Sequence, residues 1–196
     1  QLLFGAIGDA VEDRYPLQVT QFEADIRIAE QLMDLYLENM GGDIPEDYEL
    51  MWDFAYKKTQ IDSYDKRGKK GYCFTIGDAD CHLVLDKNNI KKIFNDNTET
   101  FTSKKLADLA SEKFELFHIY IDGSGNDNLD SILPGRIISI NKFDIKYLPE
   151  IIITAILMSQ GVDMDSAIER WNRLAQVVVR NAVKDLIIEV EDEIRL

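Results

Sequence analysis

Three apolar runs of strand length end in acidic turns, and these endings hold most of the chemistry the chain could perform. Leu2–Ile7 is followed by Gly8-Asp9, Gly71–Ile76 by Gly77-Asp78 with Asp80 close behind, and Leu116–Ile121 by Asp122. A further acid, Asp43, follows the double glycine Gly41-Gly42. In an open α/β sheet, ligands bind beyond the carboxyl ends of the strands. Carboxylates crowded there repel one another unless a proton or a divalent cation intervenes, which makes Mg²⁺ or Mn²⁺ the natural companion. The plainer reading is that Asp sits at turns because its side chain accepts hydrogen bonds from nearby backbone N–H groups. His82, just after Asp80 and Cys81, could join a ligand set, whereas His118 lies inside an apolar strand and reads as a core residue. The chain has no Walker A sequence, no Gly-x-Gly-x-x-Gly, no Gly-x-Ser-x-Gly and no Cys-x-x-Cys. The polar loop Gly123–Asn128 could cradle an anion through its backbone. No nucleophile–base pair can be named, so the expectation is that the protein is not an enzyme.

The elements that would position these acids alternate in type. Leu2–Ile7 reads as a buried strand, and Pro16–Phe22, with Leu17 and Val19 alternating, as an edge strand. Ile26, Ala29, Met33, Tyr36 and Leu37 recur at helical spacing up to Gly41-Gly42. Asp43 and Pro45 read as the cap and first turn of a second helix, with Glu46 and Asp47 suited to its dipole and Leu50, Met51, Phe54 and Ala55 on its apolar face. A polar stretch, Asp65–Lys70, leads into the run Gly71–Ile76, whose continuous apolarity marks a strand buried on both faces. Helices over Asn88–Phe94 and Ser103–Lys113, strands over Leu116–Ile121 and Arg136–Ile140, and a helix over Tyr147–Met158 follow. This alternation predicts a doubly wound α/β sheet flanked by helices. From Asp163 onward, Met164, Ala167, Ile168, Trp171, Leu174, Ala175, Val178, Ala182, Val183 and Leu186 form a long apolar stripe, and Ser166 and Glu169 have capping-box spacing. Such a stripe either packs on its own domain or docks a partner through Trp171, Leu174 and Val178.

Composition narrows the partners. The chain has 196 residues, 45% of them apolar, and carries 22 basic against 36 acidic residues, a net charge of −14. A phosphate backbone needs a basic footprint, so nucleic acid is excluded as a partner. No apolar run reaches the roughly 18 residues of a membrane span. Cys73 and Cys81 are too few for a disulfide scaffold and fit reduced thiols in the cytoplasm. The chain opens Gln1-Leu2-Leu3, without an initiator methionine or the basic start of a signal peptide, and the expectation is that a further segment precedes it.

Leu2–Asp9, Pro16-Leu17, the stretch Gly41-Gly42-Asp43-x-Pro45-Glu46-x-Tyr48-Glu49-Leu50 and the strand ending Thr75-Ile76-Gly77-Asp78 together resemble a von Willebrand factor A (VWA) domain, closest to VWA-like proteins of bacteria and phages. The resemblance covers residues 1–160 and implies a three-layer Rossmann-like fold, with 163–196 as a C-terminal helical extension. It also implies a metal-ion-dependent adhesion site holding Mg²⁺ or Mn²⁺. On this pattern Asp78 matches the family's last ligand and Asp43 replaces its threonine, with Asp80, Asp9 and His82 around them. The family's Asp-x-Ser-x-Ser loop is missing, and the strand before it would lie between Leu2–Ile7 and Tyr72–Ile76. Two rows of backbone groups facing a gap are untenable when buried, so either an upstream segment supplies the strand, or another chain does, or the two strands pair directly, the first being the expectation. The function implied is a protein-interaction module in which a partner carboxylate completes coordination of the cation, in the cytoplasm or in a virion. The alternatives are a metal-free structural or assembly subunit of a phage-like or other large complex, and a phosphoester hydrolase using Asp78 and Asp80 to hold the metal.

Overall fold

The computed structural model describes residues 1–38, 45–122 and 127–188. In chain order the elements are β1 (Gly5–Ile7), β2 (Leu17–Val19), α1 (Arg27–Met33), α2 (Glu49–Lys58), α3 (Asp62–Arg67), β3 (Gly71–Gly77) and β4 (Val84–Leu85). Next come α4 (Lys87–Phe94), β5 (Phe101–Thr102), α5 (Ser103–Ala110), β6 (Phe114–Ile121), α6 (Asp127–Ile132) and β7 (Ile137–Ile140). A 3₁₀ segment, Lys142–Tyr147, then precedes α7 (Leu148–Ser159), α8 (Met164–Ile168) and α9 (Arg173–Val183). They group into two compact units, Gln1–Gly71 with Ala79–Phe114, and Tyr72–Asp78 with Glu115–Leu196.

The second unit is the α/β part that the alternation predicts. Its strands form a parallel sheet in the order β3-β6-β7, with His118 opposite Ile137 and Ile121 opposite Ile140. β6 is buried along almost its whole length, as a continuous apolar run in a parallel sheet requires. Its core joins Phe117 and Ile119 of β6, Ile138 of β7, Ile151 and Ala155 of α7, Ile168 of α8, and Val179 and Val183 of α9. The rings of Phe74 and Phe117 stack at 4.9 Å between centroids. Buried in β6, His118 meets the Thr75 hydroxyl through Nδ1 at 2.9 Å, a core position as its strand context predicts.

The apolar stripe after Asp163 resolves into two helices rather than one. The Asp163 carboxylate accepts from the Ser166 N–H and caps α8. Glu169 ends that helix instead of closing a capping box with Ser166. Asn172 then restarts the helical path by accepting from the N–H groups of Leu174 and Ala175, both at 3.1 Å. With the orphan N–H groups satisfied twice, two short helices replace a long one, and the inner residues of both join the sheet's core.

The first unit is built from smaller pieces, and it corrects the expectation for Leu2–Ile7. β1 pairs antiparallel with β2, Gly5 opposite Val19 and Ile7 opposite Leu17, in a two-stranded sheet of its own. Leu2 and Phe4 are 58% and 39% exposed. The pairing continues past the strands, with Thr20 N–H bonded to Phe4 O and Leu2 N–H to Glu23 O. Among the described residues β1 is paired with β2 alone, and β3 is paired with β6. β4 and β5 form a second antiparallel pair, and α2 packs on α5.

Two helix expectations change as well. α1 ends at Met33 and buries none of its residues, leaving Met33 86% exposed. The next helix, α2, begins at Glu49, so Glu46 and Asp47 precede its first turn: Glu46 makes a β-bridge with Cys81, and Asp47 is drawn to the Ala10 N–H. The glycines 41–42 and Asp43 lie outside the described residues. The polar stretch 65–70 contains the end of α3, where Gly68 takes the left-handed conformation (φ 64°) that stops a helix without a Cβ penalty.

Candidate functional site

The acids singled out in the sequence divide between the two units. Asp78 follows β3, and Asp122 follows β6 on the neighbouring strand of the parallel sheet; both are exposed. Asp122 has a positive φ of 49° and is engaged by Lys142, whose backbone N–H donates to Oδ1 at 3.0 Å and whose ammonium lies 3.8 Å from Oδ2. Asp78 makes no hydrogen bond or ion pair with the described residues. Asp9, Asp80 and His82 belong to the first unit. Among the described residues, no three His, Cys, Asp or Glu side chains are grouped to hold a metal ion.

What the first unit does bring together is Asp9 and His82, around an acid that sequence reasoning left on a helix terminus, Asp47. The turn after β1 winds tightly. Asp9 Oδ1 accepts from the N–H groups of Val11 and Glu12, each at 2.7 Å, and the Asp9 N–H donates to Asp13 Oδ2 at 2.8 Å. The Ala10 N–H at the tip donates to Asp47 Oδ2 at 2.6 Å, and the Lys92 ammonium of α4 donates to the Ala10 carbonyl at 2.9 Å. His82 Nε2 stands 4.0 Å from Asp47 Oδ1. Asp80 contributes through its backbone: its carbonyl accepts from the Glu46 N–H at 2.7 Å, while its carboxylate accepts from the Cys81 N–H at 2.9 Å.

Burial sets the electrostatics here. It raises the Asp47 carboxyl above the usual range, against the pull of the Ala10 N–H and of His82. Glu49, fully buried on α2, is pushed up to about 9 by burial and then by the negative charge of Asp47, so it is neutral at pH 7. The proton it keeps is shared with Asp47, whose carboxylate is the hydrogen-bond partner of the Glu49 carboxyl. One turn on, burial also raises the carboxyl of Asp53, opposed by the Lys57 ammonium 2.6 Å away. Cys73 and Cys81 are buried and form no disulfide among the described residues, and desolvation holds both thiols well above the ordinary range, so neither is a reactive thiolate.

A cleft of about 190 Å³ opens beside the Gly8–Asp13 turn. Its walls carry the acids Asp9, Asp13, Glu38 and Glu46 and the rings of Tyr15 and Tyr36. Asp9 is the one member of the sequence-derived set that lines it. Asp13, Glu38 and the tyrosines carry no pattern that a sequence displays, because they meet only through the β1–β2 pairing and the path after α1. Glu49 and Asp53 did leave a signal, since they share a helical face with Trp52 at spacings of three and four.

The residues read as partner-docking have different fates. The Trp171 indole N–H donates to Thr154 Oγ1 at 3.0 Å, and its ring packs against the unit's own core. Leu174 is exposed and Val178 half-buried on the outer side of α9, joined by the exposed Val177. No helix among the described residues is long and apolar enough to cross a membrane. The chain matches no family model, no curated protein and no solved structure.

Proposed function

We propose that this chain is a protein-interaction module built on a Rossmann-like α/β unit, and that the outer side of α9 is its contact face. The observation that carries the reading is the second apolar stripe of that helix. Its inner residues Ala175, Val179, Ala182 and Val183 are buried, yet Leu174 and Val177 stand 62% and 59% exposed on the other side. A helix that has already spent one face on its core gains nothing in the monomer from leucine and valine on the opposite face. Covering them with a partner removes apolar surface from water at about 25 cal/mol per Å².

In its finer form the reading is of VWA type, with Asp78 holding Mg²⁺ or Mn²⁺ at the carboxyl edge of the sheet and a partner carboxylate completing the coordination. Two features support that form. Asp78 is exposed without a described partner, and Mg²⁺ keeps several waters and binds through one or two carboxylates. The donors described around Asp78 do not amount to a full ligand set, so the α9 face carries the proposal with or without a cation.

Two measurements separate these forms. A photo-crosslinking residue placed at 174 or 177 in cells is expected to trap one protein species that a residue at the polar position 181 does not trap, and Leu174→Glu is expected to abolish it. Equal trapping at all three positions, or none, overturns the contact face. Calorimetric titration of Mg²⁺ and Mn²⁺ tests the cation: heat that Asp78→Ala removes supports the VWA form, and an isotherm unchanged by the substitution refutes it.

A further inference from the structure

We propose that the outer edge of β3 pairs with β3 of a second copy of this chain, antiparallel about a two-fold axis at Phe74. The edge uses none of the α9 residues, so this proposal and the α9 contact face stand or fall separately.

β3 ends the strand order β3-β6-β7, and β6 is its one strand partner among the described residues. The Gly71 N–H donates to the carbonyl of Lys113, the residue before β6, at 2.9 Å. Backbone groups of successive strand residues point to opposite sides, so Gly71, Cys73, Thr75 and Gly77 turn theirs toward β6. Tyr72, Phe74 and Ile76 turn theirs the other way, where no backbone group among the described residues bonds them. Between the two glycines, water reaches these same three residues. Tyr72 and Phe74 are half-buried and Ile76 is 39% exposed, against 8% for Cys73 and 2% for Thr75. Edge strands are normally kept from pairing by a lysine, a proline or a bulge. Gly71–Gly77 has no charged residue and no proline, and it runs unbroken for 7 residues.

The residues along that edge select the occupant. An added antiparallel strand exchanges hydrogen bonds only at outward-pointing residues, and a two-fold axis at Phe74 is the one that pairs all three of them. In that register Phe74 faces its own copy, Tyr72 lies opposite Ile76, Gly71 opposite Gly77 and Lys70 opposite Asp78. These are aromatic with aromatic, aromatic with β-branched and base with acid, each a favourable cross-strand pair. A parallel copy in register would instead set Lys70 against Lys70 and Asp78 against Asp78. Both copies offer the same patch, as a two-fold interface requires. Tyr72 and Phe74 already pack on the unit's core, with Phe74 stacked on Phe117, so the edge is ordered before a second copy arrives. The charge of −14 on each copy opposes association. At physiological salt the Debye length is about 8 Å, so that repulsion is largely screened while the Lys70–Asp78 contacts, made at ion-pair distance, persist.

The test uses the full chain in EDTA, so that no cation competes for Asp78. Sedimentation velocity runs from dilute to near-millimolar protein, with amide hydrogen exchange at both ends of the range. The expected result is a reversible dimer. The Tyr72, Phe74 and Ile76 amides exchange fast in the dilute chain and slow by about tenfold or more in the dimer, whereas those of Cys73 and Thr75, bonded to β6, are slow in both. Ile76→Pro removes an N–H that β6 does not use and is expected to weaken the dimer by roughly tenfold or more. Lys70→Asp sets like charges opposite at both ends and is expected to weaken it about fivefold, and adding Asp78→Lys is expected to restore it. The charge variants keep the test standing if Ile76→Pro fails to fold. A chain that stays monomeric, fast exchange at Tyr72, Phe74 and Ile76 in the dimer, a dimer unchanged by the folded Ile76→Pro, or a double charge variant as weak as Lys70→Asp alone overturns the proposal. A dimer that Leu174→Glu dissolves belongs to the α9 face and overturns it as well.

Discussion

Helices α2 and α9 each turn one face inward, but they bury different chemistry. α2 hides Glu49 and Asp53 among Leu50, Trp52 and Ala55, whereas α9 hides Ala175, Val179, Ala182 and Val183. The contrast extends to their units. Asp9, Asp13, Asp47, Glu49 and Asp53 are all buried in the first, while the second buries no carboxylate among its described residues. Apolar burial stabilises without reference to pH. A buried acid held neutral stabilises only while the solution lets the unfolded chain hold the same proton. Glu49, pushed up to about 9 from an ordinary value of 4.5, binds its proton more tightly when folded. Its contribution is thus whole below pH 4.5 and is lost progressively as the pH rises toward 9. The raised carboxyls of Asp47 and Asp53 act in the same direction.

The two tryptophans make this contrast measurable, because Trp52 lies in the first unit and Trp171 in the second. Urea unfolding followed in Trp52→Phe and Trp171→Phe backgrounds reads each unit separately. The largest effect is expected for Phe117→Ala, which empties a fully buried site in the sheet's core. It should cost about 3–5 kcal/mol, seen through Trp171 and equal at pH 5 and pH 9. A strong pH dependence of that loss would break the contrast. Next in size is Glu49→Gln, seen through Trp52: it should stabilise by about 3 kcal/mol at pH 7, by more at pH 8 and by nothing at pH 4. The parent's own stability should fall from pH 5 to pH 9; a Gln variant with the same slope would mean that another group carries the linkage.

A smaller loss, about 1 kcal/mol and independent of pH, is expected for Asn172→Ala, which leaves the Leu174 and Ala175 N–H groups uncapped. The smallest concerns Lys66, whose ion pair with Asp62 is exposed on both sides. Lys66→Ala should leave the midpoint of the first unit unchanged, showing that it is burial of charge, not charge itself, that sets this unit apart.

Where the sequence could be read, the signal was local and strong. β6 announces itself as a continuous apolar run, because a parallel strand covered on both faces tolerates little else. β3 reads the same way, yet it stands at the end of the strand order and leaves Ile76 39% exposed, so it is not buried on both faces as its apolar run implied. α4, α5 and α7 follow from helical spacing, and Asp86 and Thr102 cap their helices by the rule that short oxygen side chains satisfy the first N–H groups. Leu2–Ile7 misleads because apolarity over six residues says nothing about which partner pairs with it. The β2 ladder captured its backbone, and the apolar side chains Leu2 and Phe4 were left facing water.

The candidate sites divide in the same way. That Asp9, Asp78 and Asp122 end apolar runs is written in the residues themselves, since strand and turn preferences act over a few neighbours. That Asp9 and Asp13 come to line a cleft with Tyr36 and Glu38, that Asp47 collects the Ala10 N–H and lies 4.0 Å from His82, and that Glu49 is kept protonated were decided by contacts spanning tens of residues. Desolvation and pairing belong to positions in space, and chain order carries no record of them until the backbone has closed.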